Sequence, residues 1–246
     1  MDTLSISLMG SPELRHAGQR VSVPSRKALL LLSYLLLEPG RRSREELAGL
    51  LWPESEPDVA RSALRNVLAQ LRRVLPDRLV LDGPLVEFRV HSGDTVDVLG
   101  DEPAPSDQLF LLGLEVGEEG ELQDWLTAMR GHLQVQQRTR LQRRAQQLER
   151  AGQLVEALET ARRWFALDPT DEDAALVLMT RAQQAGDVTQ LHDVYEQHRH
   201  ALAQRVDAQP SARIRNLLAE LQAAVVQAGP GGVRETEVFQ CPPLPV

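Results

Sequence analysis

The chain has 246 residues, enough for one large domain or two of ordinary size, and its 42% hydrophobic and 25% charged content excludes a disordered, fibrous or membrane-embedded class. A net charge of −8 argues against a nucleic-acid partner only when averaged. Residues 1–90 hold 13 Arg+Lys and 11 Asp+Glu, net +2, whereas residues 91–246 hold 14 and 24, net −10, so a basic surface in the first part is compatible with the total. Cys241 is the only cysteine, which excludes an internal disulfide framework and a cysteine-based metal cluster. Neither a signal-peptide pattern nor an apolar run of bilayer-spanning length occurs, and a soluble cytoplasmic protein is expected.

In chain order, Leu4, Ile6 and Leu8 alternate with Ser5 and Ser7, and Gly10-Ser11-Pro12 turns the chain. Residues 13–15 and 20–23, separated by Ala17-Gly18, complete a small antiparallel sheet. Residues 26–37 are apolar on nearly all sides, the mark of a buried helix, which ends at Pro39-Gly40. The turn through Arg41 and Arg42 leads to Ser43-Arg44-Glu45-Glu46, a capping box that starts a short second helix with Leu47, Leu50 and Leu51 on one stripe. Trp52-Pro53 stops it, and Ser55 is the expected cap of a third helix.

That third helix, over residues 58–75, is the most informative stretch. At 100° per residue, Ala60, Ala63, Leu64, Val67, Leu68, Leu71, Val74 and Leu75 fall within an arc of about 140°. The opposite face carries Arg61, Ser62, Arg65, Asn66, Ala69, Gln70, Arg72 and Arg73, with no carboxylate after Asp58. One side fills a core while the other offers guanidinium, hydroxyl and amide groups to base edges and phosphates. A hairpin follows, with strands at 79–81 and 85–90 around Asp82-Gly83-Pro84. Three helices and then a hairpin is the order of a winged helix-turn-helix. Arg41, Arg42 and Arg44 surround the start of the second helix, where N–H groups and the helix dipole favour a phosphate.

The run SRKALLLLSYLLLEPGRRSREELAGLLWPE, followed by ARSALRNVLAQLRRVL and the hairpin, resembles the DNA-binding domain of the SARP-type bacterial transcriptional activators, itself similar to the OmpR-type winged helix. The resemblance covers residues 4–92. It implies that Arg61, Ser62, Arg65, Asn66 and Arg73 reach bases in the major groove. It also implies that Ser43, Arg44 and the hairpin, which carries Arg89, clamp the DNA backbone, and Arg41, Arg42 and Arg72 are expected to meet phosphates beside them.

Residues 91–130 hold ten acids and one base, Arg130; residues 101–107 read as an exposed connector and residues 117–121 as an acidic loop before a helix that carries Trp125. If that acidity shielded the basic helix, deleting residues 94–120 would strengthen DNA binding. Residues 133–228 are helical in pattern, broken by Ala151-Gly152, Asp168-Pro169-Thr170, Ala185-Gly186 and Gln209-Pro210-Ser211. The two Ala-Gly pairs lie 34 residues apart, the tetratricopeptide period, and a shift of 34 sets Ala145 on Met179, Leu148 on Ala182, Leu154 on Val188, Ala157 on Leu191 and Ala161 on Tyr195. Helix pairs of this kind stack to bury their faces and leave a groove for a protein surface. The helix at 154–165, LDPTDEDA and LAQRVDAQPSARIRNLLAEL resemble the bacterial transcriptional activation domain of SARP-type regulators, though Asp207-Ala208-Gln209 and Ala212 depart from the family pattern.

The expected fold is mostly α with a small β part: a winged helix-turn-helix over residues 1–93, an all-α TPR-like activation domain over 94–228, and a disordered Gly/Pro-rich tail over 229–246. No G-x-x-x-x-G-K-[ST] loop, H-E-x-x-H or G-x-S-x-G motif occurs, so no enzyme, cofactor or metal site is expected, and the resemblance is to a short form without the family's ATPase module. The resemblance implies an activator that binds promoter DNA at direct repeats as a side-by-side pair and whose helical repeats contact a second copy or RNA polymerase holoenzyme. The alternative is a protein-interaction scaffold whose winged helix no longer binds DNA.

Overall fold

A computed structural model describes residues 3–116 and 120–228; the expected tail, and most of the acidic loop at 117–121, lie outside the described residues. The chain opens with β1 (Leu4–Ser7), β2 (Glu13–His16) and β3 (Gln19–Val21). β1 pairs antiparallel with β2 and β2 with β3, and Ala17 and Gly18 turn the second hairpin with φ of 49° and 78°. Leu4 and Ile6 are each 1% exposed and Ser5 faces solvent, as their alternation requires.

The first helix, α1 (Arg26–Leu37), starts where Ser25 Oγ accepts the Ala28 N–H, and it buries eight of its twelve residues. A strand that the sequence shows only as a turn, β4 (Arg42–Ser43), follows and leads into α2 (Arg44–Leu51), whose Glu46 N–H donates to Ser43 Oγ at 3.0 Å. Next comes α3 (Pro57–Val74), with its proline in the first turn. Ser55 is not its cap. Glu56 holds that position without a side-chain hydrogen bond, while the Ser55 N–H donates to Trp52 O.

The hairpin is β5 (Leu79–Asp82) and β6 (Leu85–Phe88), and β4 joins it at the β6 edge to give a three-stranded wing. The N-terminal sheet is mixed rather than antiparallel, because β7 (Thr95–Val96) pairs parallel to β1. Between hairpin and β7 the chain is pinned by Asp94, whose carboxylate accepts the N–H groups of Leu4 and His91 and an Arg78 N–H at 2.9 Å.

Residues 101–107 are a strap, not an exposed connector. Ala104 is 2% exposed; its N–H donates to Gln137 Oε1 at 2.8 Å and its carbonyl accepts from Gln137 Nε2 at 3.0 Å. Arg163 clamps Asp107 at 2.7 Å and also donates to Ala104 O. The partners of this strap lie on α4 (Glu121–Arg150) and α5 (Leu154–Leu167). Apolar side chains from Leu4 through Leu133 form one continuous cluster, to which Val96, Val98, Phe110, Leu111, Leu122 and Leu126 belong. No break in packing therefore falls at residue 93, and the first compact unit runs to Leu167. Deleting residues 94–120 would remove part of this core, so it cannot report on charge shielding.

The second compact unit begins at Asp168 and contains α6 (Glu172–Ala185), α7 (Val188–Arg205) and α8 (Ala212–Ala228). The 34-residue period is present in the backbone of both units. Gly152 and Gly186 turn with φ of 76° and 69°, and Gln153 N donates to Leu148 O as Asp187 N does to Ala182 O, each at 2.9 Å. These are 6→1 bonds of a Schellman ending, repeated 34 residues apart. Within the second unit, α6 packs against α7 and α8, and His198 is buried with Nδ1 2.8 Å from Pro169 O.

Candidate nucleic-acid interface

The outer face of α3 exists because the inner face is needed elsewhere. Leu64 and Leu71 are each 1% exposed and Leu68 is 2% exposed, all in the core cluster, which turns Arg61, Ser62, Arg65, Asn66, Ala69, Arg72 and Arg73 to solvent. Arg72 and Arg73 occupy the last turn, where the negative end of the helix dipole favours them.

The arginines on this face differ in state. Arg61 is bound to Asp58 at 2.5 Å, and that hydrogen bond and charge, with Glu45 behind them, raise its pKa above the usual guanidinium value. Among the described residues, no carboxylate forms an ion pair with Arg44, Arg65, Arg72 or Arg73. These four meet around one hollow of about 280 Å³, floored by Leu68, Ala69 and Leu81. The Arg44 Nε is buried without a hydrogen-bond partner. Arg44 is the first residue of α2, and its N–H donates to Pro84 O at 2.8 Å, which ties that helix start to the hairpin turn.

The remaining expected phosphate contacts lie in or beside the wing. Arg41 sits 3.5 Å from Asp82 and 3.8 Å from Glu87, and Arg89 donates to Glu87 at 3.0 Å. The Arg89 hydrogen bond holds the Glu87 carboxyl below its usual range, helped by the charges of Arg89 and Arg41 against a small opposing effect of burial. Such exposed pairs contribute little stability, so a phosphate can displace the carboxylates. Arg42 is more deeply held: it lies between Glu38 at 3.5 Å and Glu46 at 3.3 Å, over the Tyr34 ring at 5.7 Å. Ser43 Oγ is the α2 cap. The structure thus gathers Arg65, Arg72, Arg73 and Arg44 in one place, puts Ser62 and Asn66 on the adjoining ridge, and binds Arg61, Arg41, Arg42 and Arg89 to neighbouring acids.

The sequence reading missed the apolar floor and one connection to α4. Trp125 Nε1 donates to Glu38 Oε1 at 3.1 Å and its ring meets Tyr34 edge-on at 5.2 Å, which links α4 to the end of α1 and through Glu38 to Arg42. Ala69 among the arginines signalled the floor; nothing in the local pattern signalled Trp125. Among the described residues no cluster of three or more metal-ligating side chains occurs, and no helix is long and apolar enough to cross a membrane.

Residues 112–222 match the family model of the bacterial transcriptional activator domain. No curated protein matches the sequence. Among solved structures, Mycobacterium tuberculosis EmbR in complex with a low-affinity phosphopeptide has the same fold, with a TM-score of 0.62 at 15% identity over 91% of this chain and 66% of that one. The chain spans just under two thirds of that structure's length. In architecture the chain is therefore a winged helix-turn-helix followed by a region that matches the bacterial transcriptional activator domain.

Proposed function

We propose that this protein is a sequence-specific DNA-binding transcriptional regulator, an activator acting in the cytoplasm. In this reading α3 enters the major groove while α2 and the wing hold the flanking backbone. The observation that carries it is the face of α3: exposed arginine, serine and asparagine, with Arg65, Arg72 and Arg73 on it and Arg44 beside it lacking carboxylate partners among the described residues, in a chain whose net charge is −8. A protein-contact surface has no need of that segregation. The activator-domain match supports a role in transcription. We place two copies side by side on direct repeats, with the helical repeats contacting the second copy or RNA polymerase.

The test is genome-wide recovery of DNA bound by the purified chain, with affinity for the best fragment followed from about 50 to 200 mM salt. One enriched motif, occurring as a direct repeat, and a loss of affinity by orders of magnitude over that range is the expected result. Arg44→Ala should weaken binding equally on all sequences and lower the salt slope by about one unit. No enrichment and uniformly weak binding would favour the scaffold reading instead.

A further inference from the structure

We propose that the hollow between α3, the start of α2 and the wing seats one phosphate of the DNA backbone, so that Arg65 and Arg73 anchor the DNA rather than read its bases. The inference rests on the DNA-binding reading and refines it residue by residue. Arg44, Arg65, Arg72 and Arg73 converge on a space of about 280 Å³, room for about nine waters at liquid density. That volume admits a phosphodiester and part of its deoxyribose. Four like charges repel one another, and among the described residues no acid forms an ion pair with them. An anion that entered would remove that repulsion and take forked N–H groups for which phosphate is a matched acceptor.

Three further observations favour a backbone phosphate. The Arg44 Nε is buried and lacks a hydrogen-bond partner, so the protein leaves this guanidinium only partly satisfied. Arg44 opens α2, whose dipole adds attraction for an anion at that point. Leu68 and Leu81 give the hollow an apolar wall of the kind a sugar packs against. Ser62 and Asn66 are rotated from Arg65 by about 60° and 100° around the helix axis and do not line the hollow. Base reading falls to that ridge.

The experiment uses the full chain, Arg65→Gln and Asn66→Ala, each checked for wild-type circular dichroism. Affinities are measured for the selected operator, all its single-base variants and a scrambled duplex. The operator also carries a single neutral methylphosphonate moved position by position. Arg65→Gln should lose about tenfold on operator and scrambled duplex alike, with a salt slope smaller by about 0.9. At one backbone position, neutralisation should weaken the wild type and Asn66→Ala but leave Arg65→Gln unchanged. A changed base preference in Arg65→Gln, with full sensitivity at every methylphosphonate, overturns the proposal. So does micromolar binding of pyrophosphate to the DNA-free wild type that is lost in Arg65→Gln, which would make the hollow a site for a free anion. If the wild type selects no motif but binds the scrambled duplex with the Arg65-dependent slope, the phosphate seat stands and sequence-specific regulation falls. If it binds no DNA, both fall.

Discussion

Removing the Asp94 carboxylate should unfasten the winged helix from its own N-terminal sheet. The Asp94 side chain is 2% exposed and that of Arg78 is 8% exposed, and they meet at 2.9 Å. The same carboxylate accepts the Leu4 N–H at 2.9 Å and the His91 N–H at 2.8 Å. Asp94→Ala therefore removes the carboxylate counter-charge of a buried guanidinium and the acceptor of two backbone donors together. Breaking a buried pair in this way costs about 3–5 kcal/mol. With a urea m-value of about 2 kcal/mol/M, the midpoint falls by about 1.5–2.5 M. Fluorescence suits the assay, because Trp52, Trp125 and Trp164 all belong to the first compact unit. Adding Arg78→Met removes the buried charge and should recover about 1 kcal/mol or more. A midpoint shift under about 0.5 M for Asp94→Ala, or a further loss on adding Arg78→Met, would refute the reasoning.

Acid should act on the same site. Burial pushes the Asp94 pKa up, but the hydrogen bonds from His91, Leu4 and Arg78 and the arginine's charge bring it below the usual carboxylate range. A carboxylate with a depressed folded-state pKa adds stability above its unfolded pKa and loses it as pH falls through the folded value. Asp97, raised by burial in spite of bonds from Met9, Leu8 and Val98 N–H groups, works in the opposite sense. Wild type should thus lose more stability below about pH 5 than Asp94→Asn does, measured by urea midpoints at stepped pH. Ser43→Ala removes the α2 cap and should cost about 1 kcal/mol by thermal melting. Gly152→Ala and Gly186→Ala place a Cβ where nothing lies within 4 Å, so only the left-handed backbone is penalised, by about 1–2 kcal/mol each in calorimetry. Near-equal losses at both would show that the two helix endings are energetically alike.

The parts of the fold legible in the sequence are those whose physics is local. α1 and α3 announce themselves by the spacing of leucines, and the 34-residue recurrence of Gly152 at Gly186 marks a backbone conformation that few other residues adopt. β4 and β7 are two residues long, too short to show any alternation, and exist because a neighbouring strand offers an edge. The strap escaped for a different reason: Ala104 is its one buried residue, set among prolines and acids and held by Gln137 and Arg163 from far along the chain. The candidate site shows the same division. Sequence periodicity gathers Arg65, Arg72 and Arg73 onto one face, while only tertiary structure brings Arg44 and Leu81 to it and takes Arg42 out of free solvent.

The continuity of the first core, from Leu4 to Leu133, bears on how proteins of this architecture can be recombined. A foreign DNA-reading head spliced on at residue 93 would arrive without Phe110, Leu111, Leu122 and Leu126, which complete its hydrophobic interior here. The exchangeable cartridge is larger than the winged helix and extends through α5 to Leu167, carrying the first helix pair of the activator domain with it. A head exchanged at residue 93 would have to rebuild that wall each time.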